Sequence, residues 1–227
     1  MRMRLKHNLT SRLAKCDDMI IKINMTELNA AKAVLEKEYI DLNGIFGNDN
    51  PLYFDLGTGK GQFAIEFARR NPNINVIGVE IISNVIVDAC EKARAENLPN
   101  LKFLNTAIEY IPKYFKQQSV SRIYLNFSTP KQKKSYANSR LTSPKFLKIY
   151  EYLLAPHAEI HQKTDDNDFF EYSLEQFQLY GYAIKELTRD LHDDPPKDNI
   201  VTEYEQNFVN QEKKINRLVA YLPDKTV

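Results

Sequence analysis

A chain of 227 residues with 43% hydrophobic and 27% charged residues has the composition of a folded protein with one well-developed core, and not that of a disordered chain. No apolar run reaches the roughly 18 residues of a membrane span, and the basic N-terminus lacks the apolar segment of a signal peptide, so we expect a cytoplasmic protein without a membrane partner. The two cysteines, Cys16 and Cys90, have neither metal-ligand nor redox spacing, and we interpret both as structural.

The net charge of +1 hides a strong segregation of charge along the chain. The window 110–150 contains no acidic residue and nine basic ones, which are Lys113, Lys116, Arg122, Lys131, Lys133, Lys134, Arg140, Lys145 and Lys148. A second basic stretch at the N-terminus comprises Arg2, Arg4, Lys6, Arg12 and Lys15. Two such segments predict a polyanionic partner, and a solvated basic face is the alternative.

Strand and helix patterns alternate clearly from Leu52 onward. Short apolar runs predict seven strands, over 52–56, 76–80, 101–104, 122–127, 158–163, 182–188 and 216–222. Apolar residues at helical spacing predict helices over 62–71, after Ser83 as a cap, after Ser143 with proline in the first turn, and over 167–180 before Gly181. This alternation predicts an α/β fold with a mostly parallel sheet, helices on both faces, and ligands beyond the carboxyl ends of the strands.

The organisation of the chain follows from these patterns and from the charge segregation. We expect a basic N-terminal extension with a helix over 1–40, followed by a single α/β domain over 41–227. No internal repeat and no low-complexity tract interrupts the sequence.

Three of the seven glycines follow the first predicted strand directly. Gly57, Gly59 and Gly61 lie in the run Asp-Leu-Gly-Thr-Gly-Lys-Gly, where glycine permits a positive φ and lets a ligand approach the backbone. The dinucleotide-binding spacing would need a glycine in place of Gln62, and no P-loop sequence is present, which argues against a nicotinamide-dependent oxidoreductase. A tight turn without a ligand is the remaining alternative.

Two acids complete the pattern around this loop. Asp55 stands two residues before the first glycine, and Glu80 closes the second predicted strand 23 residues after Gly57. An acid at that strand end accepts hydrogen bonds from the ribose hydroxyls of an adenosine, and a solvent-facing carboxylate is the alternative. The pattern resembles the first motif of the class I methyltransferases. That resemblance implies S-adenosylmethionine as the cofactor, bound by Asp55, Gly57, Gly59 and Glu80.

Further motifs narrow the resemblance to one family. Tyr-Leu-Asn-Phe-Ser at 124–128, Lys-Thr-Asp at 163–165 and Thr-Glu-Tyr-Glu at 202–205 follow in order. From about Leu52 to Tyr221 the chain resembles the bacterial tRNA (guanine-N7-)-methyltransferases. The resemblance implies a Rossmann-like class I methyltransferase with a seven-stranded sheet, and tRNA as the partner. It leaves monomer and homodimer open.

Members of that family methylate N7 of a guanine in the tRNA variable loop. Guanine N7 has a lone pair and no proton at neutral pH, so orientation matters more than a general base, while nearby acids favour the positive charge that arrives on the purine. The resemblance assigns substrate binding to Lys133, Asp165, Thr202, Glu203, Tyr204 and Glu205. As alternatives, Asp165 could cap the helix near Asn167, and Lys133 could be one solvated lysine of the basic window.

The chain departs from the family pattern at three functional positions. Where the family reads Asp-Pro-Trp-Pro-Lys-Lys-Arg-His, Thr129 replaces the aspartate and Lys131 the tryptophan, and Ala107 replaces an acid near the adenine. By position, the resemblance assigns Thr129 to catalysis and the cofactor, Ala107 to the cofactor and Asp165 to catalysis. Threonine cannot balance a positive charge, so an RNA-binding paralogue without catalysis is the alternative to an enzyme.

Overall fold

The computed structural model describes residues 5–24, 27 and 29–224. The chain forms two compact units, Met1–Tyr114 and Phe115–Val227. The expected division into an extension over 1–40 and a domain over 41–227 stays a prediction, and Arg2 and Arg4 lie outside the described residues. In the part of the chain that is described, no helix combines the length and the apolar character needed to cross a lipid bilayer.

A seven-stranded sheet of order β3-β2-β1-β4-β5-β7-β6 lies within the described residues. Its strands are β1 Leu52–Leu56, β2 Asn75–Val79, β3 Leu101–Leu104, β4 Val120–Asn126, β5 Leu154–Thr164, β6 Ala183–Thr188 and β7 Asn216–Tyr221. In the first unit β2 is parallel to β1 and β3, and in the second unit β5 is parallel to β4. β7 runs antiparallel to β5 and β6. The predicted α/β fold with a mostly parallel sheet is confirmed.

Helices follow the strands in both units. Those in the described residues are α1 Leu9–Lys15, α2 Ala30–Ala33, α3 Leu42–Phe46, α4 Gln62–Arg70, α5 Ser83–Glu96, α6 Ile111–Tyr114, α7 Pro144–Leu153, α8 Asn167–Tyr180 and α9 Glu203–Val209. Two 3₁₀ turns cover Ile108–Tyr110 and Lys134–Ser139. α8 has the predicted bounds, because Gly181 takes a φ of 98° and ends the helix as expected.

Two helix caps differ from the sequence-based interpretation. Ser83 is the first residue of α5 rather than its cap, because Ile82 occupies the cap position and Ser83 Oγ donates to Asn105 Oδ1 at 2.8 Å. Asp166, not Asp165, caps α8, since Asp166 Oδ1 accepts a backbone N–H of the first turn at 2.8 Å. The interpretation of Asp165 as a helix cap is therefore wrong.

The fifth strand begins earlier than the apolar pattern predicts. Leu154 already pairs with Val120 of β4, and a register shift follows before the regular pairing resumes. His157 takes a φ of 60° within this irregular stretch. The Ala-Pro-His sequence there lacks strand character, so the pattern marks only the regular part of the strand, from Ala158 onward.

Each unit has its own apolar core. In the first unit Phe54, Ile77 and Phe103 are fully buried on the central strands, and so are Ile123 and Ile160 in the second. The two cysteines are free thiols buried in the first unit, and burial raises the pKa of Cys90 to about 12. A thiol with that pKa stays protonated near neutral pH, in keeping with a structural role.

Candidate active site

The glycine loop folds back on the end of β2. Gly57, Gly59 and Gly61 have φ values of 79°, 58° and 74°, in the left-handed region that favours glycine. The backbone N–H groups of Gly57 and Thr58 donate to Val79 O at 2.8 and 3.0 Å. At Gly61 a side chain would also collide with Ala89, since an added Cβ would lie 2.7 Å from Ala89 Cβ. The loop is thus fixed by close helix packing at one end, while Gly57 is exposed and Gly59 is half-buried.

Asp55 lies under the loop rather than on its surface. Its side chain is buried, with 2% of the residue exposed, and Thr58 Oγ donates to Asp55 Oδ2 at 2.6 Å. The carboxylate therefore holds the loop in place through Thr58. The predicted direct role of Asp55 at the cofactor stays a prediction.

Glu80 presents a fixed carboxylate at the end of β2. Oε1 accepts the backbone N–H of Ile82 at 2.9 Å, and Oε2 accepts that of Gly59 at 3.3 Å. Asn105 Nδ2 donates to the carbonyl oxygen of Glu80 at 2.7 Å and so ties the end of β3 to the end of β2. Two main-chain donors orient the carboxylate without neutralising it.

Two exposed isoleucines follow Glu80 directly in the chain. Ile81 and Ile82 are 63% and 43% exposed, which is unusual for adjacent large apolar side chains. Sequence reasoning did not assign them, although an Ile-Ile pair directly after a strand-ending acid was the available signal. An acceptor for ribose hydroxyls, an apolar surface for a base and an open glycine backbone together fit the adenosine part of S-adenosylmethionine.

Ala107 opens the 3₁₀ turn Ile108–Tyr110 and adds no polar side-chain atom there. The neighbouring Thr106 is buried, and Asn105 is held by Ser83 and by Glu80. The position where the family has an acid therefore carries no charge in this chain, and its role at the cofactor stays a prediction.

An aromatic cluster lies at the carboxyl end of β4 in the second unit. Phe127 takes a φ of 51°, which is rare for a bulky residue, and its N–H donates to Lys163 O at 2.9 Å. Its ring centroid lies 5.6 Å from that of Tyr204 and 6.0 Å from that of Phe208. Tyr204 is 56% exposed and offers a ring face on which a base can stack.

Glu205 lies in the interior and not among the exposed polar groups. None of its surface is exposed, and its Oε2 accepts a hydrogen bond from Lys163 Nζ at 3.0 Å. Oε1 lies 3.4 Å from Asn199 Nδ2 and 3.1 Å from His192 Nε2. Burial lowers the pKa of Lys163, while the facing carboxylate acts in the opposite direction. Lys163 was not assigned from sequence, since its partners lie 36 to 42 residues further along the chain.

The other predicted substrate residues differ in exposure. Thr202 caps α9, because its Oγ1 accepts the N–H of Glu205 at 3.1 Å. Glu203 is exposed in the first turn of the same helix. Asp165 follows β5 and has its Oδ2 3.5 Å from Lys213 Nζ. Asp165 and Glu203 are therefore the partly or fully exposed carboxylates of the predicted set, and Glu205 is not.

Thr129 and Lys133 lie on an exposed loop whose backbone is anchored by Arg140. The guanidinium donates from Nε to Pro130 O at 2.9 Å and from a second nitrogen to Lys131 O at 3.3 Å. It also lies 4.3 Å from the ring centroid of Tyr172 on α8. Arg140 thus fixes the loop that carries Thr129 and Lys133. From the sequence it was expected to be one of the cations that bind a polyanion.

We expect Arg140→Met to raise the rate of trypsin cleavage in the loop 129–134 about tenfold, because two hydrogen bonds from a charged donor are lost. Limited proteolysis followed by mass spectrometry measures the cleavage at the loop lysines. Lys148→Met, which removes an exposed cation of α7, is the matched control and should leave the rate unchanged. Equal rates in both variants would contradict the anchoring role.

The basic residues of the window 110–150 do not form one free surface. Lys113 is buried with its Nζ 2.9 Å from Glu38 Oε1, and Arg122 lies 3.0 Å from Glu159. Six lysines of the window are exposed, namely Lys116, Lys131, Lys133, Lys134, Lys145 and Lys148. The absence of acids from this window does not mean that all of its basic residues are available to a polyanion, because Glu38 and Glu159 pair with Lys113 and Arg122.

Two of the N-terminal basic residues, Lys6 and Arg12, are also paired. Lys6 donates to Asp88, and Arg12 donates to Asp88 at 3.1 Å and to both oxygens of Glu91 at 2.7 Å. These contacts hold α1 against α5 within the first unit. Lys15 is exposed at the end of α1.

The strand order, the glycine loop after β1 and the acid after β2 define a class I S-adenosylmethionine-dependent methyltransferase. A family model described as "Putative methyltransferase" matches residues 49–218. The chain is 43% identical over 183 residues to a tRNA (guanine-N(7)-)-methyltransferase of Geobacillus sp. (strain WCH70), covering 81% of this chain and 83% of that protein. It is 45% identical over 166 residues to a protein of the same name from Bacillus velezensis, covering 73% and 76%. The chain belongs to the tRNA (guanine-N7-)-methyltransferase family.

Solved structures agree with the fold. The 16S rRNA (adenine(1408)-N(1))-methyltransferase from Catenulisporales acidiphilia, solved with its cosubstrate SAM, superposes with a TM-score of 0.58. That likeness covers 90% of this chain and 96% of the other at 17% identity, so it concerns the fold alone.

Proposed function

We propose that the protein transfers the methyl group of S-adenosylmethionine to N7 of a guanine in the variable loop of tRNA. The observation that carries the proposal is the fixed Glu80 carboxylate beside the exposed Ile81 and Ile82, an acceptor and an apolar surface that suit an adenosine. Membership of the family indicates that the methyl acceptor is guanine N7 of tRNA. The names of the relatives favour an enzyme over an RNA-binding paralogue. A tRNA substrate implies a cytoplasmic location.

In the first unit the chain holds the cofactor. Glu80 accepts hydrogen bonds from the ribose hydroxyls, Ile81 and Ile82 contact the adenine, and the glycine loop lets the backbone approach the amino-acid end, with Asp55 holding Thr58 beneath it. When bound, S-adenosylmethionine supplies a sulfonium methyl group that a neutral nitrogen nucleophile can attack.

In the second unit the chain holds the guanine. Asp165 and Glu203 accept hydrogen bonds from the N1–H and 2-amino donors, and their negative charge favours the cationic purine that forms as N7 gains the methyl group. Tyr204 stacks on the base, and Lys133 with its neighbouring exposed lysines contacts phosphates. No proton is removed from N7, so these residues orient and stabilise rather than act as a general base.

Incubation with radiolabelled S-adenosylmethionine and unmodified tRNA transcripts tests the function. One transcript carries 7-deazaguanine at the variable-loop guanine, which replaces the nucleophilic nitrogen with carbon. We expect label on the normal transcript alone. Salt-dependent tRNA binding without incorporation of label, at enzyme concentrations above that of the tRNA, would contradict the activity and favour the RNA-binding paralogue.

Thr129→Asp should raise the methylation rate about tenfold, because it restores a carboxylate where the family motif has one and where Thr129 is exposed. Single-turnover rates at saturating tRNA and cofactor measure the effect. Thr129→Asn, which has the same shape without the charge, is the control and should not accelerate the reaction. An unchanged or lower rate for Thr129→Asp would show that the missing carboxylate does not limit turnover.

A further inference from the structure

Lys163 connects the end of β4 to the segment 199–205, which carries residues predicted to bind the guanine. Its carbonyl oxygen accepts the N–H of Phe127 at the end of β4 at 2.9 Å. Its ammonium group donates to Asn199 Oδ1 at 2.5 Å, to Ile200 O at 3.1 Å and to Glu205 Oε2 at 3.0 Å. All three ammonium protons therefore have acceptors, and the side chain joins the end of β5 to the loop before α9 and to α9 itself.

Both carboxylate oxygens of Glu205 already face partners inside the protein. Oε2 is taken by Lys163, and Oε1 faces Asn199 and His192 at 3.4 and 3.1 Å. The residue is fully buried, and a buried charge is stable only when it is paired and hydrogen-bonded, as it is here. The guanine edge would have to break the ion pair and open the interior to reach this carboxylate.

The position of Tyr204 depends on this pair. Tyr204 precedes Glu205 in the first turn of α9, and its ring packs on Phe127, with centroids 5.6 Å apart. Phe127 keeps a left-handed backbone conformation that is unfavourable for a bulky residue, and it is held by the Lys163 carbonyl on one side and by the aromatic rings on the other. Both partners of this ring contact are thus tied to Lys163.

We propose that Lys163 and Glu205 are positioning residues, which place Tyr204 and Glu203 for the guanine, and that Glu205 does not contact the base. This inference rests on the proposed function, since it concerns the acceptor side of that same site. It reverses the expectation from the family motif, in which the last acid of Thr-Glu-Tyr-Glu belongs to the substrate contacts.

A double-variant cycle tests the pair by itself. Lys163→Met and Glu205→Leu are each expected to lower Tm by about 10 °C, since each leaves a buried charge without its partner. The combination Lys163→Met/Glu205→Leu should recover most of the loss, because two apolar side chains can replace a buried ion pair. Additive losses in the double variant would overturn the pairing, and this measurement requires no RNA.

The methylation rate then separates positioning from contact. Under our proposal the single variants raise the KM for tRNA and lower kcat about tenfold, and the double variant recovers both together with Tm. If Glu205 contacts the guanine, the double variant stays as slow as Glu205→Leu despite its recovered Tm, and the proposal is wrong. A wild-type protein that methylates no tRNA contradicts the proposed function, while the Tm cycle still decides the pairing.

Asn199→Ala provides a milder perturbation if the single variants do not fold. It removes one acceptor of Lys163 and one donor to Glu205 while leaving the ion pair in place. We expect a KM for tRNA raised about threefold, with an unchanged affinity for S-adenosylmethionine measured by calorimetry. An unaltered KM would count against positioning through this network.

Discussion

Asp165→Asn is expected to lower kcat for tRNA methylation by about 10² to 10³, while the affinity for S-adenosylmethionine stays unchanged. The side chain follows β5 and is partly exposed, and its Oδ2 lies 3.5 Å from Lys213 Nζ, a long contact that leaves the carboxylate accessible to a substrate. Asparagine keeps the shape and one acceptor but loses the charge that strengthens the interaction as the purine becomes cationic. Single-turnover kinetics at saturating cofactor and tRNA measure the chemical step.

Asp166→Asn is the matched control for that prediction. Asp166 is adjacent and carries the same side chain, but its Oδ1 caps α8, and asparagine is an equally good cap. We expect wild-type kcat and Tm for this variant. Equal losses of kcat in both variants, or an effect of Asp165→Asn on KM alone, would contradict a catalytic role for Asp165.

Glu80→Ala is expected to weaken binding of S-adenosylmethionine about 100-fold, as measured by isothermal titration calorimetry. Two hydrogen bonds from ribose hydroxyls to a carboxylate are lost, and each such bond contributes about 1.5 kcal/mol or more. The loop also loses the contact between Glu80 Oε2 and the Gly59 N–H. Glu96→Ala, which removes an exposed acid of α5, should bind the cofactor as the wild type does. A Glu80→Ala protein with wild-type affinity would rule out the ribose contact.

The glycine loop and the acid after β2 could be located from sequence because their signals are local. The glycines, the strand before them and the acid that ends the next strand lie within about 30 residues, and each residue type follows from backbone conformation or hydrogen bonding. The strands could be found for a similar reason, since short apolar runs interrupted by glycine or polar residues carry the pattern themselves. Irregular pairing, as at the start of β5, is where that pattern fails.

The acceptor side depends on contacts that the sequence does not display. In the sequence Glu205 looks like an exposed motif acid. In the structure it is fully buried and paired with Lys163, which lies 42 residues earlier. Arg140 looks like one cation among nine, while its contacts to Pro130 and Lys131 show an anchor. Composition and spacing reveal which residues are present, but not which charges are already neutralised within the fold.

The attachment of α1 to α5 limits what the N-terminal cations can contribute to polyanion binding. Arg12 Nε and Nη2 already donate to Glu91 and Asp88, so a phosphate that takes these donors exchanges one ion pair for another and releases few counterions. Free energy from counterion release must instead come from exposed lysines without an acidic partner in the described residues, such as Lys133 and Lys134. The salt dependence of tRNA affinity should therefore report the exposed loop lysines of the second unit rather than the total basic content of the chain.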